Sequence, residues 1–124
     1  MAKNAQQFEE RPWGTFEVIH EFDHGNGQQV VIKKIIVHPQ KRLSLQSHAK
    51  RREHWLVVEG EGVVVLDEKE VIVQSESKIV VETGVKHRIA NTHPEKHLVF
   101  IEIRLGEFDE DDIIRYQDDF GRSI

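Results

Sequence analysis

The sequence predicts an all-β protein, built as an antiparallel sandwich or small barrel. Between Gly27 and Gly106, short segments rich in Val and Ile follow one another, each about five to nine residues long. Gly, Pro, Asn, Asp or Ser separate these segments, and none of them shows a convincing 3.6-residue helical period. Many short strands without crossover helices favour a closed architecture, because closure leaves few strand edges unpaired.

The predicted strands fill the middle of the chain. Two glycines in VVEGEGVVV predict a hairpin, since glycine supplies the positive φ of a tight turn, and LDEKEVIV predicts a second hairpin. In chain order, the predicted strands are QVVIKKIIV, LSLQSH, HWLVV, GVVVLD, EVIVQ, KIVVE, HRIAN and HLVFIEIRL.

The two ends of the chain are expected to differ from this region. Residues 1–10 lack periodicity and are expected to form a flexible N-terminal arm, which leaves residues 11–124 as a single domain. The tail DEDDIIRYQDDF predicts a short C-terminal helix, because its acidic residues lie where a helix dipole favours negative charge.

Composition narrows the class of function. A chain of 124 residues is long enough for one core, and the absence of cysteine excludes thiolate chemistry and zinc-thiolate sites. We expect a cytoplasmic protein with no membrane partner, because the apolar runs are short and the first ten residues are polar. A net charge of -5 argues against a nucleic-acid partner, since binding phosphate backbones needs a basic face.

Side chains that can bind a metal gather in LSLQSHAKRREHW. Strand alternation puts Gln46 and His48 on one face, roughly 6.6 Å apart along the backbone. Glu53 begins the next strand, and His87 follows a turn at Gly84. If these side chains meet inside the barrel, imidazole, carboxylate and amide oxygen suit a divalent ion such as zinc, manganese, iron, cobalt or nickel.

Spacing alone leaves a second interpretation open. A histidine in a strand is often an ordinary hydrogen-bonded or solvent-facing residue, and we expect this of the six remaining histidines. These are His20, His24, His38, His54, His93 and His97.

The motifs resemble a known superfamily. The spacing His48-x4-Glu53-x6-Gly60, followed by Gly84-x2-His87-x3-Asn91, resembles the two motifs of the cupins. Their fold is a double-stranded β-helix, a jelly-roll-like small barrel with a metal near its middle. More narrowly, the type II phosphomannose isomerase domain is similar to this chain over about residues 11–122, in RPWG, RLSLQSHAKRREHW, TGVKHRIAN and EDDIIRYQDDFGR. That domain also forms the carboxyl end of bifunctional mannose-1-phosphate guanylyltransferases.

This resemblance implies an activity and its ligands. It implies a metal-dependent isomerase that interconverts mannose 6-phosphate and fructose 6-phosphate, in mannose, nucleotide-sugar and polysaccharide biosynthesis. The small-molecule partner is then a sugar phosphate, and a homodimer is expected. The implied metal ligands are Gln46, His48, Glu53 and His87.

Further side chains are candidates for the chemistry. Arg51 matches the arginine of the family string SLQxHxxRxEHW and is the first candidate for a catalytic or phosphate-contacting cation, because guanidinium binds phosphate bidentately. Glu102 is a candidate base and shares a strand face with Arg104, and that face lies either against the cavity or against the tail. The other candidate substrate-binding cations are Lys86, Arg88, Arg104, Arg115 and Arg122.

Four of these cations have an alternative role. Alternation puts Lys86 and Arg88 on the face opposite His87, where they are ordinary strand residues. Arg115 and Arg122 either reach the barrel mouth from the returning tail or hold the tail in place. Asp111 and Asp112 are expected to be structural.

Two other functions are compatible with the same residues. One is a non-catalytic sugar-phosphate or nucleotide-sugar binding cupin that partners a separate mannose-1-phosphate guanylyltransferase. The other is a structural dimer module with a vestigial site, which the departure of the turn ETGVKH from the family pattern would favour.

Overall fold

In the computed structural model, residues 7–109 and 111–121 are described, and they form two antiparallel sheets. The strands are β1 (Gln7–Arg11), β2 (Gly14–Gly25), β3 (Gln28–Val37), β4 (Leu45–Ser47), β5 (Arg51–Glu59), β6 (Glu61–Leu66), β7 (Lys69–Gln74), β8 (Lys78–Val81), β9 (His87–Asn91), β10 (Leu98–Gly106) and β11 (Ile114–Gln117). The larger sheet has six strands in the order β1-β2-β3-β10-β5-β8, and the smaller has five in the order β11-β4-β9-β6-β7.

The predicted all-β class is confirmed. The segments predicted as strands between residues 29 and 105 form β3 to β10, and LDEKEVIV forms the β6–β7 hairpin. Asp67 takes the positive φ that this two-residue turn needs. No helix in the described part of the chain has the length and hydropathy needed to cross a bilayer.

The core lies between the sheets and follows from strand alternation. In β5, Trp55 and Val57 are buried on the inner face, while Leu56 and Val58 are exposed on the outer face. The same alternation runs through strands of both sheets. The buried cluster consists of Trp13, Ile35, Val37, Trp55, Val57, Val64, Val73, Ile79, Val81, Ile89, Leu98 and Phe100.

The hairpin predicted at VVEGEGVVV is wrong. β5 belongs to the larger sheet and β6 to the smaller, so Gly60 carries the chain from one sheet to the other. Gly60 has a φ of 98°, and a Cβ there would lie 2.5 Å from the backbone oxygen of His97. Glycine is needed at this crossing for its positive φ and for the close approach of the backbone.

The predicted C-terminal helix is also wrong. Ile114–Gln117 form β11, which pairs antiparallel with β4 at the edge of the smaller sheet. Asp112, one of the acids expected to favour a helix start, instead accepts hydrogen bonds through its carboxylate from the backbone nitrogens of Ala49 and Lys50. Pairing with β4 then satisfies backbone groups that would otherwise be left at an open sheet edge.

An edge strand replaces part of the expected N-terminal arm. Residues 7–10 lie in β1, which pairs with β2, and residues 1–6 lie outside the described residues. The strand QFEER could not be recognised from apolar alternation, because its inward positions Gln7, Glu9 and Arg11 are polar. Backbone pairing with β2, itself not predicted, gives these residues their conformation.

Two isoleucines of the smaller sheet provide a matched test of this core. Ile89 is fully buried in β9, whereas Ile72 in β7 is 82% exposed. We expect Ile89→Ala to lower the free energy of unfolding by about 2–5 kcal/mol, because it removes buried methyl groups and leaves a cavity. Ile72→Ala is the control and should change it by less than about 0.5 kcal/mol. Urea denaturation measures both, and equal effects would contradict the assigned core.

Candidate metal centre

Three buried side chains converge between the sheets. One ligand atom each from His48, Glu53 and His87 lies within 4.8 Å of the others, and all three residues are buried. His48 directly follows β4 and His87 opens β9 in the smaller sheet, while Glu53 lies in β5 of the larger sheet. The structure therefore brings together three of the four predicted metal ligands from strands of both sheets.

Gln46, the fourth predicted ligand, faces the same cavity. It lies directly opposite His87 in the pairing of β4 with β9. Residues directly opposite each other in an antiparallel pair project to the same face of the sheet. Gln46 accordingly lines the cavity beside His87, where its amide oxygen is available as a metal ligand.

Backbone carbonyls orient both imidazoles. Nδ1 of His48 lies 2.7 Å from the backbone oxygen of Asp112, and Nδ1 of His87 lies 2.9 Å from that of Val85. A carbonyl only accepts, so each Nδ1 carries the proton and each Nε2 keeps its lone pair. Burial, aided by the charge of Arg51, lowers the pKa of His48 to about 3, which keeps this ring neutral at physiological pH.

Glu53 supplies the negative charge. Its Oε2 accepts from Arg51 Nε at 2.9 Å, and its Oε1 accepts from Trp55 Nε1 at 2.9 Å. Burial alone would raise the pKa of Glu53, but the charges of Arg104 and Arg51 outweigh it and hold this pKa below its usual range. The carboxylate is therefore ionised despite its burial.

This donor set fits a divalent metal ion. Two imidazole nitrogens, an ionised carboxylate and an amide oxygen are suitable ligands for a borderline or hard ion. Nη2 of Arg51 lies 3.0 Å from His48 Nε2, so the Arg51 guanidinium donates to the lone pair that a metal would take on His48. Metal binding therefore requires Arg51 to release His48, whereas Glu53 Oε2 has a further lone pair and can keep its bond from Arg51.

The tail supports the centre through Asp112. Besides the bond from His48 to its backbone oxygen, its carboxylate accepts from Ala49 N at 2.8 Å and Lys50 N at 2.9 Å. Asp112 thus fixes both the turn after His48 and the direction of the His48 ring. This is a structural role of the kind expected for the tail acids, although it is reached without a helix.

A second buried carboxyl, Glu102, also faces the cavity, which decides between the two orientations left open for β10. Its Oε1 accepts from Arg104 Nε at 2.6 Å. Burial raises the pKa of Glu102, and the nearby charge of Glu53 adds to this increase against the opposing effect of Arg104. Glu53 and Glu102 are adjacent carboxyls whose pKa values are displaced in opposite directions.

The cavity between the sheets has a volume of about 670 Å³ and contains a cation that the sequence analysis missed. Lys33 of β3 faces the cavity and lies opposite Glu102 in the pairing of β3 with β10. Alternation in QVVIKKIIV was a usable signal, because it puts Lys33 on the same face as Val31 and Ile35.

The other predicted substrate-binding cations differ in whether they reach the cavity. Arg115 lines the cavity and lies opposite Gln46 in the pairing of β11 with β4. Arg88 also borders the cavity, but its guanidinium donates to the Leu43 backbone oxygen and to Gln117 Oε1. Lys86 places its ammonium 4.5 Å from the centre of the Tyr116 ring. Arg122 lies outside the described residues.

The chain belongs to a family defined by sequence. Residues 2–118 match the family model described as "Mannose-6-phosphate isomerase C-terminal". The chain is 38% identical over 115 residues to the xanthan biosynthesis protein XanB of Xanthomonas campestris, which covers 91% of this chain and 23% of XanB. It is 37% identical over 115 residues to a mannose-1-phosphate guanylyltransferase of Salmonella montevideo, covering 91% of this chain and 23% of the relative.

The fold is that of a cupin. The cupin-2 domain of Rru_A2000 from Rhodospirillum rubrum matches with a TM-score of 0.67 at 13% identity, covering 90% of this chain and 81% of that one. The predicted cupin architecture is confirmed, apart from the C-terminal helix. The chain spans about 23% of the length of the curated relatives described above.

The support from Asp112 leads to a testable effect on metal affinity. We expect Asp112→Ala to weaken Co²⁺ binding about 10- to 100-fold, because the turn that follows His48 loses its two anchoring bonds. Asp111→Ala is the control, since Asp111 is exposed and its side chain has no bond to this turn. Titration followed by tryptophan fluorescence measures both affinities, because Trp55 donates to Glu53. Equal Co²⁺ affinities for the two variants would contradict the supporting role.

Proposed function

We propose that the protein is a metal-dependent mannose-6-phosphate isomerase, which interconverts mannose 6-phosphate and fructose 6-phosphate in nucleotide-sugar and polysaccharide biosynthesis. The family description and the relatives' names support this substrate class. One observation of the site carries the proposal. Beside the donor set lies a second buried carboxyl, Glu102, whose pKa is raised.

The metal ligands in this proposal are Gln46, His48, Glu53 and His87. A divalent ion at these donors, such as zinc, manganese, iron, cobalt or nickel, would act as a Lewis acid on the carbonyl oxygen of the open-chain sugar. Glu53 contributes the negative charge of the site, and the protons held on both Nδ1 atoms aim the imidazole lone pairs inward.

Glu102 is the proposed proton carrier. The isomerisation moves one proton from C2 to C1 of the aldose and one hydroxyl proton from O2 to O1, through an enediol. A carboxyl whose pKa is raised above its usual value can take the C2 proton as a carboxylate and return it to C1. Arg104, bonded to Glu102 at 2.6 Å, orients this carboxyl.

Arg51 is the proposed cation closest to the reacting atoms. Its guanidinium already lies at the donors of His48 and Glu53, so it is well placed to stabilise the negative charge that develops on the enediol oxygens. Burial lowers the pKa of Arg51, with the charge of Arg104 adding to the effect, but an arginine remains protonated in proteins.

A second function uses the same cavity without turnover. The chain corresponds to about 23% of relatives such as the guanylyltransferase of Salmonella montevideo, so most of each relative lies outside the matched part. The alternative is a sugar-phosphate or nucleotide-sugar binding cupin that partners a separate guanylyltransferase, and the name of this relative supports the nucleotide-sugar context. The cytoplasmic location and the homodimer remain predictions.

Turnover of mannose 6-phosphate by metal-loaded protein tests the proposal directly. We expect fructose 6-phosphate to form, and we expect Glu102→Gln to lower kcat by about 10²- to 10⁴-fold because the proton carrier is lost. Glu59→Gln, which alters an exposed carboxylate on β5, is the control and should keep the wild-type kcat. A coupled assay for fructose 6-phosphate measures all three proteins.

Two results would contradict the proposal, the first its isomerase activity and the second its assignment of Glu102. One is the absence of product with every divalent metal tried, together with measurable binding of mannose 6-phosphate, which would favour the binding module. The other is a kcat for Glu102→Gln within about threefold of the wild type, which would remove Glu102 from the reaction.

A further inference from the structure

Near the metal centre, the inward positions of β3, β5 and β10 hold three cations and two carboxyls. On β5 and β10, Arg51 bonds to Glu53 and Arg104 bonds to Glu102, so each guanidinium has a carboxyl partner. Lys33 is the charged inward residue of the neighbouring strand β3. Two carboxyls thus face three cations, and the lysine is the cation without a carboxyl of its own.

The Lys33 ammonium rests on an aromatic ring. Its Nζ lies 4.0 Å from the centre of the Phe16 ring. Within residues 7–109 and 111–121, it forms no hydrogen bond and no ion pair. Burial, together with the charge of Arg104, lowers the pKa of Lys33 to about 8 against the opposing charge of Glu102. An added anion would stabilise a buried ammonium that lacks an ion-pair partner.

Strand order places Lys33 at a useful distance from the metal ligands. Across the larger sheet, Glu53 lies on β5, Glu102 on the adjacent β10 and Lys33 on β3 beyond it. Neighbouring strands are about 4.8 Å apart, so β3 runs roughly 9.6 Å from β5. A hexose 6-phosphate has its reacting carbons and its phosphate at opposite ends of the carbon chain. Across the sheet, the metal ligand Glu53, the proposed proton carrier Glu102 and Lys33 therefore follow in the same order as the carbonyl, C2 and the phosphate along the substrate.

We propose that Lys33 binds the phosphate group of a hexose 6-phosphate whose carbonyl end lies at the metal centre. The inference rests on the proposed function for the identity of the sugar. It replaces three earlier candidates on structural grounds, because Arg51 and Arg104 are paired with carboxyls and Lys86, unlike Lys33, is not among the residues that line the cavity.

Arg115 is the competing candidate and is distinguished by its position. It also lines the cavity, and its Nε has no hydrogen-bond partner among the described residues. However, it lies on β11 directly opposite Gln46, beside a proposed metal ligand. That position puts Arg115 at the carbonyl end of the substrate, whereas Lys33 lies two strands away from Glu53.

Adjacent lysines on β3 provide a matched test. We expect Lys33→Met to weaken mannose 6-phosphate binding about 10- to 100-fold, the range for losing a charged hydrogen bond worth about 1.5–3 kcal/mol. Lys34→Met is the control, because Lys34 is exposed on the outer face, and it should bind as the wild type does. Lys33→Arg should recover part of the affinity. Isothermal titration calorimetry on metal-free and metal-loaded protein gives each dissociation constant without relying on turnover.

A kinetic comparison separates phosphate binding from simple charge balance. If Lys33 binds phosphate, Lys33→Met raises KM for mannose 6-phosphate and leaves kcat within about threefold. If Lys33 only neutralises Glu102, the change appears in kcat and its pH profile while the affinity for mannose 6-phosphate is kept, which would overturn the inference. Lys33→Gln, with its thermal midpoint measured, serves if the methionine variant does not fold.

The remaining outcomes distinguish a failure of the proposed isomerase activity from a failure of the proposed phosphate site at Lys33. Binding that depends on Lys33 without any fructose 6-phosphate would contradict the isomerase and support the phosphate site. Turnover with unchanged KM in Lys33→Met would support the isomerase and overturn the phosphate site. A phosphate-specific loss in Arg115→Met but not in Lys33→Met would overturn the assignment to Lys33.

Discussion

The ionised carboxylate of Glu53, buried between two sheets, is the constraint on which the site depends. Glu53 is 1% exposed, and burying an unpaired ion costs several kcal/mol. The structure meets this cost with bonds from Arg51 and Trp55 and with the charge of Arg104. Loss of any of these partners would favour protonation of Glu53, and the donor set would lose its negative charge.

Strand register explains why these partners are present. β10 lies between β3 and β5, so Arg104 is directly opposite Glu53, and Glu102 is directly opposite both Trp55 and Lys33. A shift by one residue would turn every one of these side chains to the outer face. The same register therefore builds the apolar core at one end of the strands and the charged cavity at the other.

The pKa values of Glu53 and Glu102 are shifted in opposite directions, which suits the two carboxyls to different roles. Arginines keep Glu53 ionised, as a metal ligand must be, whereas burial favours the protonated form of Glu102. Carboxyl pairs with pKa values displaced in opposite directions are typical of sites that combine charge stabilisation with proton transfer. This difference between the two carboxyls supports the proposed aldose–ketose isomerisation.

Much of this arrangement could be predicted from local pattern. Alternation identified the strands from β3 to β10, and motif spacing identified His48, Glu53 and His87. What could not be predicted depends on long-range pairing. The tail forms β11 because β4 needs a neighbour, and its acidic residues suggested a helix instead. Gly60 looked like a hairpin glycine because a sequence does not show that its two strands belong to different sheets.

X-ray absorption spectroscopy of Co²⁺-loaded protein is the decisive test of the metal centre, because it reports the atoms bound to the metal. We expect one bound ion whose spectrum contains two imidazole ligands, from His48 and His87, together with oxygen ligands from Glu53 and Gln46. A spectrum with oxygen scatterers only, or with no stoichiometric cobalt, would contradict it. In that case the buried donors would be a structural polar cluster held by Arg51 and Arg104, without a metal.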